Sequence, residues 1–300
     1  MRAAAAAGES LRTRRPLLPS LLLLLFLFSA APFFTAIAQD RPAYQAISWS
    51  RDGSQLALTA RVGGGYQVTL VSLDRGVPVP LIDEPSSSMY AAWSPDGSRI
   101  AFSSDRDGNP DIYLTPAERG DLTRLTSHAA ADLYPTWSPD GSRIAFFSNR
   151  NGNWQLYVMS ADGSDVRQLT SHAGNDYNPV WSPVANRIAF ESARGAPGLR
   201  AIYVIDADGS HETRLTPGRT NDLFPSWSPD GSQILYCTVR LRRATLAVMF
   251  RDGSSQRTLE SGCSPSWGPR GGRIAFVGDG GVAVYVMNLD GRGRMRVTGR

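Results

Sequence analysis

Three aspartates recur at one place in a repeating text. Asp132, Asp176 and Asp222 each stand five residues before a tryptophan, in DLYPTW, DYNPVW and DLFPSW. His128 and His172 precede the first two by four residues, and Gly218 holds that place before the third. Arginine follows the same tryptophans by thirteen residues, at Arg150, Arg194 and Arg240, and Arg106 stands equivalently after Trp93. Carboxylates and imidazoles brought to one rim have two uses. Gathered around a cation, they offer hard oxygen ligands suited to Ca²⁺ or an Asp/His set suited to Zn²⁺, and the same carboxylates would receive a cationic segment of a partner. Paired with Arg106, Arg150 and Arg194, or capping backbone amides, they would instead pin adjacent copies of the repeat. Recurrence favours the second use, because residues repeated in every unit usually maintain the unit.

Other chemistry is thinly represented. Asp105-Arg-Asp107-Gly-Asn109-Pro-Asp111 has the spacing of a calcium loop, but Pro110 stands at the sixth position, where that loop needs Gly, and Pro116 at the twelfth, where it needs Glu. The matching segment Asn149-Arg-Asn151-Gly-Asn153 reads as a hairpin turn. There is no G-x-S-x-G elbow and no H-E-x-x-H, and His211-Glu212 lacks a second histidine. All 31 basic residues are arginine, which removes lysine-based Schiff-base and phosphate-loop chemistry. No catalytic residue and no resident cofactor are expected.

The net charge of +4 belongs to the first residues. Arg2, Arg12, Arg14 and Arg15 lie there, and from Gln39 onward 27 Arg face 26 Asp and Glu. That balance gives no concentrated basic face for nucleic acid. The basic start runs into the apolar block 17–28 and ends in Ala36-Ile37-Ala38. Residues 1–38 therefore read as a signal peptide cleaved after Ala38, leaving 39–300 in the periplasm or secreted. An uncleaved leader would be an anchor, the one route to membrane contact, since 17–38 is long enough to span. Cys237 and Cys263 either form a disulfide or sit as small buried hydrophobes.

The elements that must position the aspartates are short strands. Tryptophans 49, 93, 137, 181, 227 and 267 are spaced by 44, 44, 44, 46 and 40 residues, and Trp154 alone falls outside the series. Each copy carries four strand signals: a run ending in Trp, an RIAF-like run, an IYVM-like run, and an RLT-like run such as Thr123–Thr126 or Thr213–Thr216. SPDG and ADG tetrads or triads between them are turn chemistry. One such meander cannot bury both faces, whereas six packed radially can. The sequence predicts an all-β, six-bladed β-propeller of four-stranded antiparallel blades, with the tryptophans largely buried between blades. Strand order puts the Asp/His loops on one face and the SPDG turns on the other.

The WSPDGSxIAF…IYVM…DG…RLT repeat resembles the propeller of the TolB family, from the Tol–Pal envelope system, over residues 44–300. The family's amino-terminal α/β domain has no counterpart in this text. The resemblance implies a non-catalytic, monomeric module that binds a protein or peptide, such as a cell-envelope protein, at the funnel face. The competing expectation is a metal-dependent hydrolase or lyase that uses the Asp/His loops.

Overall fold

The WSPDGS text folds as the sequence demands because its side chains satisfy the turn they create. In Ser94–Ser98, the Asp96 carboxylate accepts the Ser94 hydroxyl at 2.5 Å, the Ser98 amide at 3.0 Å and the Ser98 hydroxyl at 2.7 Å. Ser94 Oγ in turn accepts the amide of Arg99, at the start of the next strand, at 2.9 Å. Gly97 supplies the left-handed residue, φ 78°. The turns around Asp52, Asp140 and Asp230 repeat the arrangement, and their serine bonds hold each of those three carboxyls down at about 2.

A computed structural model describes residues 44–82 and 86–298; the expected leader, 1–38, lies outside the described residues. Six sheets of four consecutive antiparallel strands follow one another along the chain. Blade 1 holds Tyr44–Trp49, Gln55–Val62, Gly65–Ser72 and Pro78–Pro80, and blade 2 holds Ser88–Trp93, Arg99–Ser104, Asp111–Pro116 and Thr123–Arg124. Blade 3 holds Asp132–Trp137, Arg143–Asn151, Asn153–Ser160 and Arg167–Gln168. Blade 4 comprises Asp176–Trp181, Arg187–Ser192, Ala201–Asp206 and Thr213–Arg214. Asn221–Trp227, Gln233–Arg240, Arg243–Phe250 and Arg257–Ser261 make blade 5. Cys263–Trp267, Arg273–Val277, Val284–Asn288 and Met295–Arg296 make blade 6. The fold is a six-bladed β-propeller with each first strand against its neighbours around the axis.

Most fourth strands are shorter than the RLT text suggests. The ladder stops after two residues, and the threonine beyond it bonds through its side chain. Thr126, Thr170, Thr216 and Thr298 each accept a third-strand amide at 3.0 Å, from Ile112, Leu156, Ile202 and Val284. Ring closure uses side chains of the two end blades. Tyr44, Trp49, Leu56 and Leu58 of blade 1 share one core with Ala275, Val277, Val284 and Val286 of blade 6, and Trp49 Nε1 donates to Ser266 O at 3.1 Å.

Five of the six repeat tryptophans are buried, at 5–8% exposure. Trp93 is the exception, only partly buried. Each first strand also carries a bulge three residues before its tryptophan. Ala46, Tyr90, Tyr134, Asn178, Phe224 and Ser264 all adopt φ between 47° and 59°. The extra residue breaks the pairing register there in all six blades.

Candidate functional site

The first strands start at the Asp/His face, so in blades 1 to 4 the residue five before the tryptophan begins its strand at the rim, and Asp222 comes second in that of blade 5. Asp132 and Asp176 are fully buried there, and Arg150 and Arg194, just past the second strand's core run, bend back over them. Arg150 Nη2 donates to both Asp132 oxygens at 2.9 and 2.8 Å, and Arg194 Nη2 to both Asp176 oxygens at 3.0 Å. Each guanidinium also lies over two rings of its own blade: Arg150 is 5.5 Å from Phe146 and 4.7 Å from Tyr157, and Arg194 is 5.5 Å from Phe190 and 4.6 Å from Tyr203. Burial raises the pKa of Asp176 above its ordinary value, against the pull of Arg194 and of bonds from Ser192 and Thr170.

The other members of the set behave differently. Asp222 is buried, and its carboxylate accepts the Thr220 hydroxyl at 2.9 Å. Arg240 does not turn toward it, because the blade 5 hairpin keeps regular pairing to its tip, Arg240 opposite Arg243, and leaves Arg240 exposed. Arg106 has Ser88 at the aspartate position of its blade; its Nε donates to Ser104 Oγ at 3.3 Å and its guanidinium covers Tyr113 at 5.0 Å. His128 is exposed, and its Nδ1 accepts the Ala130 amide at 3.0 Å. His172 Nε2 meets Glu212 at 3.0 Å, and Glu212 also pairs with Arg194. The geometry thus brings Asp176, Arg194 and His172 together through Glu212, and keeps His128 and Asp222 apart from that group. His211 bonds Asp206 at 2.8 Å, outside this group.

Three features escaped the repeat reading. Asp111, fully buried in blade 2, pairs with Arg124 at 2.5 Å and accepts the Thr126 hydroxyl at 3.0 Å. Glu191, fully buried on the second strand of blade 4, meets Arg200 Nη1 at 2.9 Å, Asn178 Nδ2 at 2.6 Å and the Phe224 amide of blade 5 at 2.7 Å. Its signal was visible: RIAFES puts a carboxylate ten residues after the tryptophan, where the other blades have Thr, Ser, Phe, Cys and Val. The third is an arc of rings across blades 2 to 4. Tyr90 and Tyr134 lie 5.1 Å apart, Tyr134 is 6.4 Å from Phe147, and Phe147 meets Trp154 at 5.2 Å and Tyr177 at 5.6 Å. Arg200 caps Tyr177 at 4.1 Å. Tyr90, Tyr134 and Trp154 retain solvent contact. Burial, with the nearby charges of Tyr66 and Glu191, pushes the Tyr90 hydroxyl up to about 12, so it stays a neutral donor. Trp154, outside the tryptophan series, therefore belongs to the rim.

Chemically, this face offers aromatic surface flanked by neutralised ion pairs. Among the described residues, no group of three or more His, Cys, Asp or Glu is arranged to hold a metal ion.

The TolB beta propeller domain family matches residues 34–134 and 127–300. The structure described as a TolB of Agrobacterium tumefaciens superposes with a TM-score of 0.69 at 26% identity, over 82% of this chain and 90% of that one. TolB of Acinetobacter baumannii gives 0.68 at 25% identity, over 85% of this chain and 63% of that one, so this chain spans less than two thirds of that relative. An oligogalacturonate lyase of Vibrio parahaemolyticus gives 0.60 at 12% identity, over 87% and 80%, a likeness of fold alone. No curated protein sequence matches this chain.

Proposed function

The chain belongs to the TolB β-propeller family, and from that premise we propose that it is an exported, non-catalytic module that binds a protein or peptide on the Asp/His face of its propeller. The aromatic arc from Tyr90 to Trp154 and Tyr177 carries this reading. Half-buried tyrosine and tryptophan give large, stiff contact area with a polar tip, the composition of binding hot spots. The ion pairs of Asp132 and Asp176 support the same reading against a metal-dependent hydrolase or lyase, because their carboxylates already serve Arg150 and Arg194. Those aspartates act as braces, and the partner meets the rings between them.

Export follows from the leader and is supported by the Cys237–Cys263 disulfide, a bond that persists in oxidising compartments. The mature protein begins at Gln39, acts in the periplasm or beyond as a monomer, and meets a cell-envelope protein. Amino-terminal sequencing from the native host tests the cleavage. For the binding face, pull-downs with the wild-type chain and with Trp154→Ala are compared. An envelope protein recovered by the first and depleted on the order of tenfold with the second is expected. Equal recovery by both would move the interface elsewhere.

A further inference from the structure

Each tryptophan of the repeat faces the second strand of the preceding blade, and in three junctions that strand sends an arginine across it. Arg99 lies 4.9 Å from the ring of Trp137, Arg143 is 4.8 Å from Trp181, and Arg273 is 5.6 Å from Trp49. All three arginines hold the position six residues after their own blade's tryptophan. At the junction of blades 1 and 2 that position is Gln55, shorter and uncharged, and Trp93 is the repeat tryptophan left partly exposed. Trp227 and Trp267 also lack a covering arginine, Arg187 having turned to Asp206 at 3.0 Å and Gln233 standing in the other place. Those two indoles are nevertheless 8% exposed. Among the described residues, only at Trp93 does the missing guanidinium leave an opening.

The opening is a cleft of about 570 Å³ lined by Gln55, Trp93, Arg51, Asp52, Asp96 and Glu118 among others. Arg51 Nη1 reaches the Asp96 carbonyl at 3.5 Å. Three carboxylates against one guanidinium leave the cleft net negative. The serine bonds of the turn hold the Asp52 and Asp96 carboxyls well below the usual carboxylate range, so both stay charged at any physiological pH. An indole face bordered by carboxylates attracts a cation, and the planar guanidinium stacks and bonds carboxylates at once, where a compact ammonium stays more strongly hydrated.

We propose that the Trp93 cleft between blades 1 and 2 is a docking site for an arginine side chain of a protein partner, which completes in trans the guanidinium–indole stack that Arg99, Arg143 and Arg273 complete in cis. The site lies among the SPDG turns, on the face away from the aromatic arc, and is independent of the function proposed for that arc.

The test follows the indole N–H resonance of Trp93 in protein carrying ¹⁵N-labelled tryptophan, assigned with Trp93→Phe. The probes are acetyl-Gly-Arg-Gly-amide, its lysine counterpart and its citrulline counterpart, which keeps the shape and loses the charge. The arginine peptide should shift Trp93 and leave the other indoles in place; lysine should bind on the order of tenfold more weakly, and citrulline should give no shift. Gln55→Arg should refill the cleft and abolish the response. Gln55→Ala, which keeps the cleft open, should retain the response and so separates occlusion from misfolding. A Trp93 signal unmoved by the arginine peptide up to tens of millimolar would overturn the proposal. So would an equal response to citrulline, a response kept in folded Gln55→Arg, or choline binding more tightly than the arginine peptide.

Discussion

The junction of blades 4 and 5 and the junction of blades 5 and 6 grip at one place with opposite chemistry. The place is the bulge of the following first strand, faced by the residue ten after the preceding blade's tryptophan. At the first junction Glu191 accepts the Phe224 amide at 2.7 Å and is itself held by Asn178 and Arg200. At the second, the same place on the second strand is Cys237, bonded to Cys263 one residue before the bulge, with Cα atoms 5.0 Å apart. At two other junctions the position is Thr59, whose hydroxyl accepts the Tyr90 amide at 2.8 Å, and Ser103, which accepts that of Tyr134 at 3.1 Å; at the last two it is Phe147 and Val277, which pack without an acceptor. The teaching is that the propeller fixes where a blade must grip the next and leaves open how. A buried carboxylate grips only while every partner is present, whereas a disulfide acts chiefly on the unfolded chain.

The largest effect is expected from Glu191→Ala. It leaves the Phe224 amide and buried Asn178 without an acceptor and Arg200 without its counter-ion, and should cost about 3–5 kcal/mol in urea unfolding. A loss under about 1 kcal/mol would break the comparison, because Glu191 would then be a passenger. Replacing both Cys237 and Cys263 by serine opens a 26-residue separation and should cost about 3 kcal/mol. Here the denaturant slope should rise as well, since the released chain exposes more surface; for Glu191→Ala it should not.

Next come the rim braces, where one partner can be set against two. Asp132→Asn leaves Arg150 without its carboxylate and should cost about 2–3 kcal/mol. Asp176→Asn should cost less, about 1–2 kcal/mol, because Glu212 still serves Arg194. Equal losses would show that Glu212 contributes nothing. Neither change should weaken a partner seated on the aromatic arc.

The smallest effect is Asp140→Asn in a turn distant from both junctions, worth about 1 kcal/mol at neutral pH. The folded carboxyl is depressed to about 2 from 3.8, so its contribution is complete above about pH 4 and is lost as pH falls through 2. Melting curves of variant and parent should therefore separate at pH 7 and converge near pH 2. Separation that persists at pH 2 would assign the effect to shape instead of charge.

The fold was legible in the sequence because four of the six blades repeat one turn chemistry, centred on Asp52, Asp96, Asp140 and Asp230, and the serines of that turn and the RLT threonine close their own hydrogen bonds. Asp132 with Arg150 and Asp176 with Arg194 were visible as a pattern of spacing. Asp222 broke the pattern although its arginine stood at the right distance, because regular pairing to the tip of the blade 5 hairpin carried Arg240 away from the rim. Spacing cannot report how far a hairpin stays paired. Glu191 stood out as the one carboxylate at its repeat position, but its pairing with Arg200 and that of Asp111 with Arg124 were illegible, because each partner comes from another segment of the blade. The arc of rings was hidden because repeat arithmetic discards what does not repeat, and Trp154 is the residue it discarded.

The six left-handed bulge residues have a consequence for variation. Ala46, Tyr90, Tyr134, Asn178, Phe224 and Ser264 share one backbone conformation yet range from a methyl group to a phenol. The main chain holds its shape there whatever side chain is attached, so the axis works as a rack of six sockets. A designer could rewrite these side chains one socket at a time, and an evolving lineage could do the same, with Asn178 the exception because it also holds Glu191.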